Sequence, residues 1–362
     1  MESHGLILMQ LALLIGLKLA ATTTPPEAAQ SKPGCQTSCG SVNIPYPFGK
    51  IDGPDDCYIT RNFQITCNTT GFDSPRAFLQ NGNIQVLDIS LEGELRIMLP
   101  VSFDCYSYNG TEIERDPLRY WLRLPKFPIS DTKNKFTAVG CDTSAVIRGV
   151  RGGNYTTGCL SVCNNMDNMR NGTCSGVGCC QVPLPKGVRD YNISVSSYDY
   201  HSSVMNFNPC SYAFVAEEGN YSFSTLDLAD LQKRTEFPVV LDWTIGSETC
   251  DDAKLNPSSY ACKYNMSVCY EPENGPGYRC KCPEGYEGNP YLPDGCTDID
   301  ECETLNPCIG TCHNSLGSFE CKCQKGYVGD GKRNGTGVTG CTHINNQFSR
   351  IIKIALGKYT GR

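Results

Sequence analysis

Two short strings, Asp298-Ile299-Asp300-Glu301-Cys302 and Cys312-His313-Asn314-Ser315-Leu316-Gly317-Ser318-Phe319-Glu320-Cys321-Lys322-Cys323, decide how this chain is read. They belong to a set of six cysteines, Cys302, Cys308, Cys312, Cys321, Cys323 and Cys341, whose fourth and fifth members are one residue apart and are followed by Gly326-Tyr327. The same arrangement stands just upstream: Cys250, Cys262, Cys269, Cys280, Cys282 and Cys296, with Gly285-Tyr286 after Cys280-Lys281-Cys282. Two copies of one spacing form an internal repeat. Spacing alone leaves 15 possible pairings for each set of six.

Working outward, the whole chain is cysteine-dense, with 24 in 362 residues. Reducing compartments do not sustain so many bridges. Gly 36 and Pro 22 add turn-rich character, and the 40% hydrophobic share includes the cysteines, so cross-links must replace part of the core. The net charge of −7 gives no global basic field of the kind a nucleic-acid binder needs. Leu6-Ile7-Leu8-Met9 and Leu11 to Leu17 form an apolar run ending near Ala20-Ala21, which reads as a secretory signal peptide over 1–21. It departs from type in lacking Lys or Arg in its first four residues, and Lys18 lies close to the cut. Eight N-x-[ST] sequons agree with secretion, at Asn68, Asn109, Asn154, Asn171, Asn192, Asn220, Asn265 and Asn334.

Residues 22–34 are a Thr/Pro/Ala linker. Twelve cysteines lie between Cys35 and Cys210 and twelve between Cys250 and Cys341, so the interval between them marks a boundary. The first region reads as β-rich. Ile84 to Leu91 and Leu95 to Leu99, joined by Glu92-Gly93-Glu94, form a hairpin by pattern and turn chemistry. Tyr191, Ile193 and Val195 alternate with Asn192 on the opposite face, and Val239 to Trp243 is a further strand. A short helix is expected from Leu226 to Lys233.

The repeat resembles the EGF-like module. That resemblance implies first–third, second–fourth and fifth–sixth pairing: Cys250–Cys269, Cys262–Cys280 and Cys282–Cys296, then Cys302–Cys312, Cys308–Cys321 and Cys323–Cys341. The two opening strings resemble both halves of the calcium-binding EGF signature. Ca2+ wants six to eight oxygens, partly carboxylate and partly carbonyl. Asp298 and Glu301 would supply charge and Asn314 an amide oxygen; the resemblance adds the backbone carbonyls of Ile299, Ser315 and Ser318. The competing reading, a solvated acidic linker, leaves the agreement of the two half-signatures unexplained. The first copy lacks such acids before Cys250 and is expected to bind no calcium.

Cys35-Gln36-Thr37-Ser38-Cys39-Gly40-Ser41-Val42-Asn43-Ile44-Pro45-Tyr46-Pro47-Phe48-Gly49 resembles the galacturonan-binding domain of plant wall-associated receptor kinases. Gly178-Cys179-Cys180-Gln181 and Pro238 to Trp243 resemble that family's second cysteine-rich region. The expected architecture is disulfide-rich and mainly β: a cysteine-rich N-terminal region followed by two tandem EGF-like modules. Its parts are a galacturonan-binding-like domain over 35–105, a second cysteine-rich region over 106–245, EGF-like modules over 250–296 and 298–341, and a tail over 342–362. No apolar stretch of about 20 residues follows Cys341. No kinase signature is present, and Gly329-Asp330-Gly331 reads as a turn inside the second module. The expectation is therefore a secreted, cell-wall ectodomain without its span, from a truncated or intron-retaining message.

The resemblance implies binding of pectin, that is, polygalacturonate and its oligogalacturonides. Within this acidic chain Arg115, Arg119, Arg123, Lys126, Lys133 and Lys135 crowd one segment beside Tyr120, Trp121 and Phe127, with Arg148 and Arg151 following. Guanidinium forks suit carboxylates, and aromatic rings suit sugar faces. The alternative is a solvated strand face with Trp121 in the core. Tyr46 and Phe48 are further candidate contacts, held extended by Pro45 and Pro47, or else structural plugs. Four histidines and no hydrolase or metalloprotease motif argue against an enzyme. A secreted EGF-rich matrix protein, binding other extracellular proteins, and a soluble decoy of the receptor are the alternatives.

Overall fold

The computed structural model describes residues 30–115, 121–149, 155–333 and 340–343. The signal peptide, most of the 22–34 linker, nearly all of the 342–362 tail, Arg119, Tyr120, Arg151, Asn154 and Asn334 lie outside these residues, as do the side chains of Arg115 and Trp121.

Alternation builds the N-terminal region. Glu94–Pro100 buries every second side chain, Leu95, Ile97 and Leu99 being at most 2% exposed. It pairs antiparallel with Gln85–Ile89, across a register shift between Val86 and Asp88. This hairpin sits in a six-stranded sheet whose order is Glu236–Asp242, Glu94–Pro100, Gln85–Ile89, Arg76–Leu79, Gln64–Asn68 and Gly49–Lys50. A five-stranded sheet centres on Cys210–Glu217, flanked by Asn134–Val139 and Ser102–Tyr106. A four-stranded sheet runs Trp121–Arg123, Asp190–Ser197, Thr143–Gly149, Thr156–Ser161. The expected helix is a single turn, Asp227–Asp230, continuing as a 3-10 turn over Leu231–Lys233 with Leu228 and Leu231 buried.

The two parts expected to meet at residue 105 are joined by strand pairing and a disulfide. Glu236–Asp242 pairs along its whole length with Glu94–Pro100, from Glu236↔Pro100 to Asp242↔Glu94. Cys105 is bridged to Cys210. A strand from the end of the second segment completes the sheet of the first, while the four-stranded sheet lies wholly within the second. The other bridges here are Cys35–Cys57, Cys39–Cys67, Cys141–Cys163, Cys159–Cys180 and Cys174–Cys179. Adjacent Cys179 and Cys180 thus enter two separate bridges.

The first EGF-like module, bridged Cys250–Cys269, Cys262–Cys280 and Cys282–Cys296, is not an independent bead either. Its Tyr278, Tyr291 and Leu292 belong to the same buried cluster as Phe48, Phe63 and Trp243. Arg279 reaches across the joint, donating through Nε to the Trp243 carbonyl at 2.5 Å and through Nη1 to the Glu92 carbonyl at 3.1 Å. Its guanidinium also lies 3.7 Å from the Asp242 carboxylate. The second module, bridged Cys302–Cys312, Cys308–Cys321 and Cys323–Cys341, contributes among its described residues Cys308 alone to the buried hydrophobic residues. Cross-links stand in for a core there. Among the described residues no helix is long and apolar enough to cross a membrane.

Candidate cation site and basic patch

The acidic string ahead of Cys302 is held by backbone pairing. Cys296–Asp298 pairs with Tyr286–Gly288 of the first module, and Ile299 N donates to the Gly285 carbonyl at 2.9 Å. Asp300 then caps the short helix Glu301–Thr304, accepting from Glu303 N at 3.1 Å. The second string forms the hairpin Thr311–Ser315 with Ser318–Lys322, closed by Leu316-Gly317, and Gly317 takes the left-handed φ of +75° that this turn needs.

These elements converge. Asn314 Nδ2 donates to Asp298 Oδ2 at 2.8 Å, and Gly317 N donates to Asp298 Oδ1. Ser315 Oγ donates to the Ser318 carbonyl at 3.0 Å. The Cys302–Cys312 bridge ties the helix to the hairpin. Glu301 is 8% exposed, and its Oε2 is buried with no hydrogen-bond partner among the described residues. A buried carboxylate oxygen without a donor is costly unless a cation meets it. The donor set, carboxylate and amide oxygens beside backbone carbonyls, is that of a hard divalent cation. The residues present therefore fit calcium.

The sequence reading overlooked the role of two glycines. A Cβ on Gly285 would stand 2.3 Å from the Gly317 carbonyl oxygen, so the backbones of the two modules touch. On the other side of that contact, a Cβ on Gly317 would meet the Tyr286 ring at 3.0 Å. The signal was the repeated Gly-Tyr after each Cys-Lys-Cys.

The basic segment does not stay together as a cluster of unpaired cations. Lys133 pairs with Glu94 at 3.1 Å and Lys135 lies 3.9 Å from Glu218. Lys126 donates to the Gly246 carbonyl at 3.0 Å, and Phe127 is in the core at 1% exposure. What the fold does assemble is the outer face of the four-stranded sheet. Arg123, exposed, stands opposite Asp190, and Arg148, exposed, stands opposite Asn192, which also pairs with position 121. A glycan on Asn192 would lie within this row. Among the other sequons, Asn109, Asn171 and Asn265 are exposed and Asn68 is half-buried. The Asn220 amide nitrogen already donates to Glu217 at 2.8 Å, which disfavours it as a glycan acceptor.

Tyr46 and Phe48 are corrected from ligand contacts to packing residues, at 7% and 1% exposure. Phe48 meets Phe63, Trp243 and Phe127 with ring centroids 4.8, 5.5 and 6.3 Å away. The backbone here is a turn and not the extended segment expected from the prolines, with Phe48 N donating to the Pro45 carbonyl at 2.8 Å, and it sends these rings inward, where burying such a surface is most favourable.

Comparison with known proteins follows this geometry. The family described as wall-associated receptor kinase galacturonan-binding matches residues 35–99, and the calcium-binding EGF domain matches 298–341. Wall-associated receptor kinase 2 of Arabidopsis thaliana is 40% identical over 339 residues, covering 92% of this chain and 43% of the relative. Wall-associated receptor kinase 5 of the same plant is 40% identical over 334 residues, 90% of this chain and 42% of the relative. Wall-associated receptor kinase 1 is 36% identical over 328 residues. The chain spans less than half the length of these relatives. No solved structure matches.

Proposed function

We propose that this chain, which belongs to the extracellular region of the wall-associated receptor kinase family, binds polygalacturonate through its N-terminal region and a calcium ion at the joint of its two EGF-like modules. Similarity to that family supports reading it as an ectodomain associated with the cell wall. For the polysaccharide, the supporting observation is the galacturonan-binding match over 35–99. For calcium, the supporting observations are the buried Glu301 Oε2, without a hydrogen-bond partner among the described residues, and the Asp298–Asn314 pair formed by the two strings.

The residues divide the work. Asp298 and Glu301 would hold the ion, with Asn314 and the carbonyls of Ile299, Ser315 and Ser318 as neutral ligands. The ion supplies fixed positive charge and no chemistry. Residues of the strings on either side of Cys302 would share the ion, and the pair of modules would be stiffened by it. Uronate carboxylates would be met on the outer sheet face by Arg123 and Arg148, whose planar forks suit them. Arg119, Tyr120 and the side chain of Arg115, also expected as contacts, lie outside the described residues, and Lys126 is turned to the Gly246 carbonyl. Charge contacts of this exposed kind weaken as salt rises, since the screening length is about 10 Å at 0.1 M.

The test is retention of the secreted chain on immobilised polygalacturonate, with and without chelator, beside Arg123→Glu/Arg148→Glu. Retention by the wild type that falls with salt and is lost in the double reversal is expected. Full retention by the folded variant moves the uronate site off this face. No retention by the wild type removes the polysaccharide reading.

A further inference from the structure

A cleft of about 710 Å³ opens where the N-terminal region meets the first EGF-like module. One side carries Asp55, Asp56 and Tyr58, the other Glu248, Asp252 and Tyr260, and the nearly buried Tyr46 and Tyr278 lie beneath. The joint that shapes it is firm. Ile245 and Tyr278 exchange two backbone hydrogen bonds, of 2.9 and 3.1 Å. The Tyr260 ring stacks on Tyr278 with centroids 5.7 Å apart, and the Tyr278 hydroxyl accepts from Ala261 N at 2.9 Å.

The charge lining the cleft is opposite in sign to that of the sheet face. Four carboxylates stand against two ammonium groups, Lys32 and Lys263. Both lysines are turned to backbone carbonyls: Lys32 to Asp56 at 2.8 Å, Lys263 to Pro257 and Ser258 at 3.2 and 3.4 Å. Lys126, outside the lining, donates to the Gly246 carbonyl. The Lys32 ammonium also lies 4.6 Å from the Tyr46 ring centroid, so an aromatic face at the base already holds a cation from within the chain. The size is that of sites taking a ligand of several groups rather than one ion. The group of side chains nearby with metal-ligand spacing is Cys35, Asp56 and Cys57, and its two sulfurs are joined in a disulfide.

We propose that this cleft is a second binding site, for an extended peptide segment bearing arginine or lysine. Carboxylates on both sides would meet the cationic groups, Tyr260 offers a ring face, and Asn256, Ser258 and Ser259 offer hydrogen bonds to the peptide main chain. A polyuronide is disfavoured there by the same four carboxylates. The proposal stands apart from the pectate reading.

Calorimetric titration of the full secreted chain with hexa-arginine, and separately with trigalacturonate, tests it. Asp56→Asn/Glu248→Gln removes one carboxylate from each side. Asp167→Asn/Glu236→Gln makes the same charge change at exposed positions outside the cleft. Saturable one-to-one binding of hexa-arginine is expected, weakened at least about tenfold in the cleft variant and within about twofold of wild type in the control. Equal weakening in both variants, or no saturable binding, overturns the proposal. Loss of trigalacturonate binding in the cleft variant alone also overturns it and makes the cleft a uronide site. Should the cleft variant misfold, nitration of Tyr260 in the wild type decides: protection by hexa-arginine supports the site, and unchanged labelling refutes it.

Discussion

Gly285 and Gly326 occupy the same place in the two copies of the repeat, and the structure gives them opposite surroundings. Both have left-handed backbones, with φ of +78° and +95°. Replacing either by alanine costs about 1–2 kcal/mol of backbone strain. A Cβ at Gly326 meets nothing within 4 Å, whereas one at Gly285 would stand 2.3 Å from the Gly317 carbonyl oxygen. Ordinary contact begins at 3.4 Å, so the Leu316-Gly317 turn must retreat by roughly 1.1 Å. That turn carries the N–H bonded to Asp298 and adjoins Asn314. Binding constellations tolerate displacements of about 0.5 Å, and disturbing groups that orient metal ligands costs about 10–100-fold in affinity. Gly285→Ala is therefore expected to weaken calcium at least about tenfold, and Gly326→Ala to leave affinity within about twofold while lowering stability by a similar strain cost. Calcium titration of the two variants by calorimetry reads the difference. Equal affinities in both would refute the claim that contact between the modules shapes the site.

Three further outcomes are expected. Glu301→Gln keeps the size of the side chain and removes its charge; calcium should bind at least about tenfold more weakly, while apo stability rises or holds, because a neutral amide costs less to bury than an unpaired carboxylate. A fall in apo stability, measured by urea unfolding in chelator, would contradict this. Phe48→Ala should cost about 3–5 kcal/mol, as a fully packed aromatic does, read by urea unfolding followed through tryptophan fluorescence. An unchanged midpoint with lost pectate retention would restore Phe48 as a ligand contact. His201 is buried beside Asp142 and Asp104, and burial holds its pKa below 6.5 against the pull of those acids. The unfolded chain therefore takes up this proton first as pH falls. The resulting stability is complete above about pH 6.5 and declines below it, by up to about 1.4 kcal/mol per pH unit until the folded pKa is reached. Asp142, whose carboxylate loses to burial but gains more from Ser197 and backbone N–H groups, adds the same sign only below about pH 4. His201→Gln should flatten the decline between pH 6.5 and 5; an unchanged slope would place its origin elsewhere.

The sequence by itself determined what depends on neighbours in the chain. The alternation of Glu94–Pro100 and Asp190–Ser197 marks strands because side chains of successive residues point to opposite faces. The repeated cysteine spacing marks the tandem modules, and Asp298, Glu301 and Asn314 were legible because their two strings flank one short set of cysteines. The tertiary structure decided everything that joins distant segments. Tyr46 and Phe48 read equally well as displayed or packed, since nothing local to a proline-rich string says which side is covered; the turn there and the rings of Phe63, Phe127 and Trp243 bring Phe48 inward. The crowded cations from Lys126 to Lys135 dispersed because Glu94, Glu218 and the Gly246 carbonyl arrive from elsewhere in the chain. No local pattern announces that Glu236–Asp242 completes the sheet begun near Gly49, or that Arg279 fastens an EGF-like module to that sheet. Those pairings are chosen by the total surface they bury, which is a property of the assembled core and not of any one stretch of the chain.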